Sequence, residues 1–241
     1  MDKPVVVKTL LIDGDIIGYR AAFSVGDLGY PWEVEAKIDD LMDYIIGETL
    51  VFSNGDDYTT YLTGRNNFRH DIAVTAEYKG NRKSTPKPDM LPVARQYLVD
   101  NYRGVVINGQ EADDAIAIEA TKNDPETTVV ASIDKDMLQI PCWHFNFVKG
   151  EWTFVEPADG TKFFYKQILT GDAADNIKGL LRVGPVKADK LLEGITEEKD
   201  LYEAVVKAYD GNKERVLENA RLLWLRREEG QMWQPPECLS N

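Results

Sequence analysis

Two short apolar runs in this chain each lead into a cluster of carboxylates. Val105-Val106-Ile107 is followed by Glu111, Asp113 and Asp114, and Val129-Val130-Ala131 by Asp134 and Asp136. Like charges held close raise one another's pKa values unless cations neutralise them. The chain has two histidines, His70 and His144, and two widely spaced cysteines, Cys142 and Cys238. Those are too few for a soft metal site, whereas an all-oxygen donor set suits a hard divalent cation, Mg²⁺ or Mn²⁺. Asp13 closes the first apolar run. Asp172 and Asp175, three apart in GDAADN, are spaced for paired ligation from one helical turn. Each acid also has a plainer reading. Asp13 could belong to a turn, Asp15 is the better-placed helix cap, and acids at 111–114 favour a helix dipole. Glu-x-Asp-Asp after a strand is more than a cap requires.

One stretch carries the opposite charge. Residues 65–87 read RNNFRHDIAVTAEYKGNRKSTPK, so Arg65, Arg69, Lys79, Arg82, Lys83 and Lys87 alternate with Phe68 and Tyr78. Cations interleaved with aromatics suit a phosphate backbone and unstacked bases; an ordinary exposed basic loop is the alternative. The Gly, Asn, Ser and Pro content indicates a loop or lid. A second candidate, GLLRVGPVKADKLL from Gly179, reads as a tight turn at Gly184-Pro185 between two short helices, with Lys187 and Lys190 beside it. Backbone N–H groups at such a helix start can hold a phosphate, or the segment is a plain helical hairpin. The net charge of -13 argues against a general polyanion binder, but net charge is not local charge.

The elements that must position these residues follow from periodicity. Strands are expected at 5–12, 58–62, 105–107 and 128–133, alternating with helices at 16–23, 33–50, 89–101 and 111–121. That alternation indicates an α/β domain with a central, mostly parallel sheet flanked by helices. Residues 143–147 and 152–155 read as two short strands turning at Lys149-Gly150. Helices at 163–169 and two more within 196–229 follow, then a tail at 231–241 with Met232 and Trp233, expected to pack. The division is expected near residue 165: a first domain 1–165 and a helical region 166–241. The apolar run 5–12 is broken by Lys8 and too short for a signal peptide or membrane span. Cysteine usage fits a reducing compartment, and the expectation is a cytoplasmic protein.

Six motifs occur in order between about residues 8 and 194: LLIDGDIIGYRAAF, NFR with EYKGNR, EADDAIA, ASIDKDMLQI, GDAADNI and GLLRVGPVKADKLL. Together they resemble the 5′-nuclease family of flap endonucleases and 5′→3′ exonucleases, in its compact bacterial or phage form. The resemblance implies a PIN-like domain, a helical arch at 64–87 and a C-terminal helix–hairpin–helix module for duplex DNA. It implies that Asp13, Glu111, Asp113, Asp114, Asp134, Asp136, Asp172 and Asp175 hold two Mg²⁺ ions, with Mn²⁺ as a substitute. Lys79 and Arg82 would contact the scissile phosphate. Arg65, Arg69, Lys83, Gly179, Val183, Gly184, Lys187 and Lys190 would contact DNA, with a K⁺ ion at the hairpin. Implied partners are DNA with a 5′ end or flap, RNA–DNA hybrids and replication proteins, met by a monomer in a bacterial or phage-infected cell. There is one departure: the strand before the arch usually ends in aspartate, and here Thr63 stands there, with Asp56 and Asp57 nearby. The rival readings are a PIN-type ribonuclease, a non-catalytic DNA-junction binder on the same fold, and a Ca²⁺-binding acidic domain, though no twelve-residue calcium loop is present.

Overall fold

A computed structural model describes residues 3–4, 6–26, 28–49 and 58–236; Asp56, Asp57 and Cys238 lie outside them. In chain order the elements begin with β1 (Thr9–Asp13), α1 (Gly14–Val25), α2 (Pro31–Thr49) and β2 (Tyr58–Thr63). Next come the single turn α3 (Arg69–Ile72), the 3₁₀ turn Gly80–Arg82, α4 (Leu91–Asn101), β3 (Gly104–Ile107), α5 (Ala112–Lys122) and β4 (Thr128–Ala131). The 3₁₀ turn Lys135–Gln139, β5 (Trp143–Asn146), β6 (Glu151–Phe154), α6 (Pro157–Thr170), β7 (Gly171–Asp172) and β8 (Ile177–Lys178) follow. The last elements are α7 (Pro185–Leu191), α8 (Glu198–Ala208) and α9 (Lys213–Leu223).

The chain forms two units: 1–67 with 86–155, and 68–85 with 156–241. Residues 68–85 of the basic stretch therefore group with the C-terminal helices, not with the sheet, and the C-terminal part of the second unit begins at Glu156 where the sequence suggested residue 166. The reason is packing: Tyr78 is buried among Phe164, Tyr165, Ile168 and Leu201.

In the first unit the sheet order is β3-β2-β1-β4-β5-β6, parallel except for the β5–β6 hairpin. Strands buried on both faces need apolar residues at every position, and β4 is buried throughout. Leu10 and Ile12 of β1 join Ile17, Val34, Ile38, Met42, Leu91 and Leu98 in one core between sheet and helices α1, α2 and α4. The intervening Leu11 is equally buried but points to the other face by the two-residue pleat. Helix α5 packs along β1 to β4. The strand order reverses at β1: the chain builds β2 and β3 on one side, then returns to lay β4 on the other. The C-terminal ends of β1 and β4 are thus the topological switch point, where open α/β sheets place ligands.

The second unit is mainly helical. Phe164, Tyr165, Ile168 and Leu169 of α6 pack with Leu201, Tyr202 and Val205 of α8 and Val216, Ala220 and Leu223 of α9. Trp233 of the tail is buried against the rings of Phe164, Tyr165 and Tyr202, so that part of the tail packs as expected. Two local readings need correction. Asp172 and Asp175 do not share a helical turn: residues 171–178 form an antiparallel β-hairpin, β7 with β8. A Cβ on Gly179 would lie 2.2 Å from the Thr170 carbonyl carbon, so this glycine permits close backbone approach beside the hairpin. Residues 179–184, expected as a short helix, form a turn, and only α7 follows it.

Candidate functional site

Asp13 sits at the end of β1, 1% exposed. Parallel pairing sets Ile12 beside Ala131, which brings the next residues, Asp13 and Ser132, together. The Ser132 hydroxyl donates to Asp13 Oδ2 at 2.7 Å, and the Asp134 N–H donates to Ser132 Oγ at 3.0 Å. The other Asp13 oxygen accepts the Ile16 N–H at 3.2 Å. Asp13, not Asp15, is therefore the N-cap of α1. The Asp13 carboxyl is pushed up to about 7, chiefly by burial and also by Asp15 and Asp134, with the Ser132 and Ile16 hydrogen bonds acting against the rise. A buried carboxylate repelled by two others is a group that gains from a neutralising cation.

Asp15 lies in the first turn of α1, where it is bonded to Arg95 of α4 and accepts the Thr63 N–H at 2.9 Å. Arg95 also donates to the Thr63 carbonyl at 2.5 Å. The Thr63 hydroxyl accepts the Ala112 N–H at 2.9 Å, tying the end of β2 to the start of α5. Thus Thr63 acts as a hydrogen-bonded tie between β2, α1 and α5. No motif marks Arg95; Ser132 is visible in ASIDKD, two residues before Asp134, but has no charge to draw notice.

Glu111 caps α5 and forms a reciprocal capping box with Asp114, whose Oδ2 accepts the Glu111 N–H at 3.2 Å. Glu111 and Asp114 are 8% and 0% exposed; Asp113 between them is partly exposed. Asp134 accepts the Asp136 N–H at 2.8 Å. Glu111 and Asp114 therefore cap α5, as Asp13 caps α1. Asp13 is brought together with Asp134, and Glu111 with Asp114. Among the described residues, no three Asp, Glu, His or Cys side chains gather closely enough to hold a metal ion. A cation entering here would compete with cap hydrogen bonds worth about 1 kcal/mol each. The donor chemistry fits a hard divalent ion, and Asp13 supplies the unbalanced charge. Ile16, Tyr19, Arg20, Phe23, Ser24 and Ile133 line an open cavity of about 430 Å³, beside Asp15 and Asp134 in sequence.

In the second unit Asp172 is buried and its Oδ1 accepts the Ala174 and Asp175 N–H groups at 2.6 and 3.3 Å. Asp175 accepts from Tyr78 at 2.7 Å and Arg82 at 2.6 Å, with Lys79 Nζ at 3.7 Å. Lys83 pairs with Glu77 at 2.5 Å. Arg69 requires correction as a DNA contact. It is 2% exposed and donates to the carbonyls of Leu222 at 2.8 Å and Trp224 at 3.0 Å, so it fixes the chain leaving α9. Val74 N–H, Thr75 N–H and the Thr75 hydroxyl all bond to Glu218. Burial pushes the Glu218 carboxyl up, but these donors and Arg215 outweigh it and hold the group below its ordinary value. Arg65 is exposed in the first unit. Lys187 and Lys190 are exposed and Val183 is partly buried. Gly184 caps α7, but Pro185 lacks an N–H and the Lys187 and Ala188 N–H groups already bond to the Gly184 carbonyl. The turn therefore presents lysines more than free backbone donors.

A family model for the 5′-3′ exonuclease N-terminal resolvase-like domain matches residues 8–166. DNA polymerase I of Bacillus caldotenax is 28% identical over 210 residues, 77% of this chain but 23% of that protein. The chain thus spans about a quarter of such relatives. The 5′-3′ exonuclease of Mycoplasma genitalium is 29% identical over 215 residues, covering 77% of this chain and 72% of that protein. The flap endonuclease of bacteriophage T5, solved as a pseudo-enzyme-product complex with DNA and metal ions, shares the fold with a TM-score of 0.64. It is 18% identical, over 89% of this chain and 88% of that one.

Proposed function

Because the chain belongs to the 5′-3′ exonuclease family by its N-terminal resolvase-like domain, we propose that it is a metal-dependent 5′→3′ exonuclease and flap endonuclease that hydrolyses DNA phosphodiesters near single-strand/duplex junctions. The observation that carries this reading is the buried Asp13 at the switch point, crowded by Asp15 and Asp134. A buried anion so placed suits a site whose working state includes cations. In the first unit Asp13, Glu111, Asp113, Asp114, Asp134 and Asp136 would hold them; Asp172 is a separate candidate ligand within the second unit. Such ions, Mg²⁺ with Mn²⁺ as a substitute, supply an activated water and stabilise charge on the leaving oxygen.

The protein's own groups do the rest. Ser132 and the α1 N-terminus orient the Asp13 carboxylate. Thr63, held by Asp15 and Arg95, fixes the start of α5 and with it Glu111, Asp113 and Asp114. Lys79 and Arg82 bind the substrate's phosphates and stabilise negative charge there. The cavity lined by Tyr19, Arg20 and Phe23 has the aromatic and cationic character to take a nucleotide. Arg65, Lys83, Lys187 and Lys190 supply exposed charge for the DNA backbone, and backbone carbonyls of the Gly179–Gly184 turn would hold a K⁺ ion. RNA–DNA hybrids are within the substrate class, replication proteins are the natural partners of such an activity, and the working form is a cytoplasmic monomer. Among the described residues no helix is long and apolar enough to cross a membrane.

The test is cleavage of a 5′-end-labelled flap duplex, with a blunt duplex as control, in Mg²⁺, Mn²⁺ and EDTA. Cuts near the junction or release of a 5′ mononucleotide, lost in EDTA, are expected. Junction binding without cleavage in either metal would turn the reading to a DNA-binding protein on a nuclease fold.

A further inference from the structure

In the second unit the YKGNR segment is fastened to the loop 172–176 along its length. The Lys79 N–H donates to the Asp175 carbonyl at 2.9 Å. Arg82 Nε donates to the Ala174 carbonyl at 2.9 Å, and Asn81 to the Ala173 carbonyl at 2.8 Å. In return Asn176 donates to the Glu77 carbonyl at 2.9 Å. The side chain of Asp175 is the centre of this contact, receiving the Tyr78 hydroxyl and Arg82 with Lys79 close by. Lys79 and Asn176 both hold left-handed backbone, at φ 53 and 60, a region that side chains other than glycine's rarely adopt. Such strain persists only where the surroundings over-determine it. Here the Tyr78 ring in the core and the bonds to Asp175 supply that constraint.

We propose that Asp175 is a positioning residue for Lys79 and Arg82: it shapes the cationic pair that meets substrate phosphate. Arg82 leaves room for substrate. Of the five N–H donors a guanidinium carries, Nε takes a carbonyl and one Nη takes Asp175, and its side chain is 51% exposed. The remaining donors suit an anion. This rests on the nuclease reading, since it requires that the pair binds DNA.

The experiment is binding of a duplex with a 5′ single-stranded overhang, by fluorescence anisotropy in EDTA, for wild type, Asp175→Asn, Arg82→Gln and the double variant. A carboxylate that only repels DNA, or only awaits a metal, gives unchanged or tighter binding when its charge is removed. A positioning residue gives the opposite sign: Asp175→Asn weakens binding about tenfold, and adds less than about twofold in the Arg82→Gln background. Unchanged or tighter binding, or full additivity, overturns the proposal. If Asp175→Asn does not unfold cooperatively, Tyr78→Phe carries the test, with a smaller loss of the same sign. Wild type that neither binds nor cuts DNA refutes the nuclease reading and the proposal with it. Wild type that binds, with Asp175→Asn no weaker, refutes the proposal alone.

Discussion

Replacing Asp13 by asparagine should stabilise the metal-free protein while abolishing cleavage. The folded state carries Asp13 with a pKa raised from 3.8 to about 7, chiefly by burial and then by Asp15 and Asp134. The folded protein therefore binds a proton across that window that the unfolded chain does not. Stability from this group is full below about pH 4 and is lost as pH rises through about 7. Above pH 7 the charged form opposes folding by on the order of 4 kcal/mol. Asparagine removes the charge but keeps only one oxygen for the Ser132 hydroxyl and the Ile16 N–H, which returns part of the gain. The net expectation is about 2 kcal/mol of added stability at pH 8, after that loss of roughly 2 kcal/mol. Urea unfolding in EDTA at pH 8 and pH 5 measures it. The advantage should shrink at pH 5, where wild-type Asp13 is largely protonated. Asp13→Asn that is less stable than wild type at pH 8, or equally favoured at both pH values, refutes the reasoning. Removing a destabilising charge at a site needed for activity is a familiar stability–function exchange.

His144 provides a second pH-dependent test. Burial pushes it down to about 4, with its bond to the Ile140 carbonyl acting the other way. The unfolded chain takes up this proton below about 6.5 and the folded one only below about 4, so stability is full above 6.5 and falls as pH drops through that window. Wild type should lose about 3 kcal/mol more than His144→Gln between pH 7 and 4, read from urea midpoints; parallel pH profiles would refute it. Arg69→Met should lower unfolding free energy by about 3 kcal/mol, because it leaves the Leu222 and Trp224 carbonyls without their donor. DNA affinity of the folded variant should change little; a loss of affinity with stability intact would return Arg69 to the DNA-contacting set.

The sheet was legible because its signals are local. Continuous apolar runs such as Val129-Val130-Ala131 announce strands locally, and the six motifs keep their order along the chain. The acids after those strands were legible for the same reason: the end of a strand is a fixed place in sequence. What a side chain touches is not local. Asp13 rather than Asp15 caps α1, although both types suit a cap, because pairing with β4 turns Asp13 toward Ser132 and Arg95 draws Asp15 toward Thr63. Arg69 looked like its basic neighbours until folding placed the carbonyls of Leu222 and Trp224 around it. Asp172 and Asp175 have helical spacing, but the pairing of β7 with β8 won over that periodicity. Local residue order thus sets the alternation of strands and helices and the inventory of charged groups. Which of those charges are buried, capped or paired depends on the folded chain, because their partners lie up to 155 residues apart and meet only when packing brings them together.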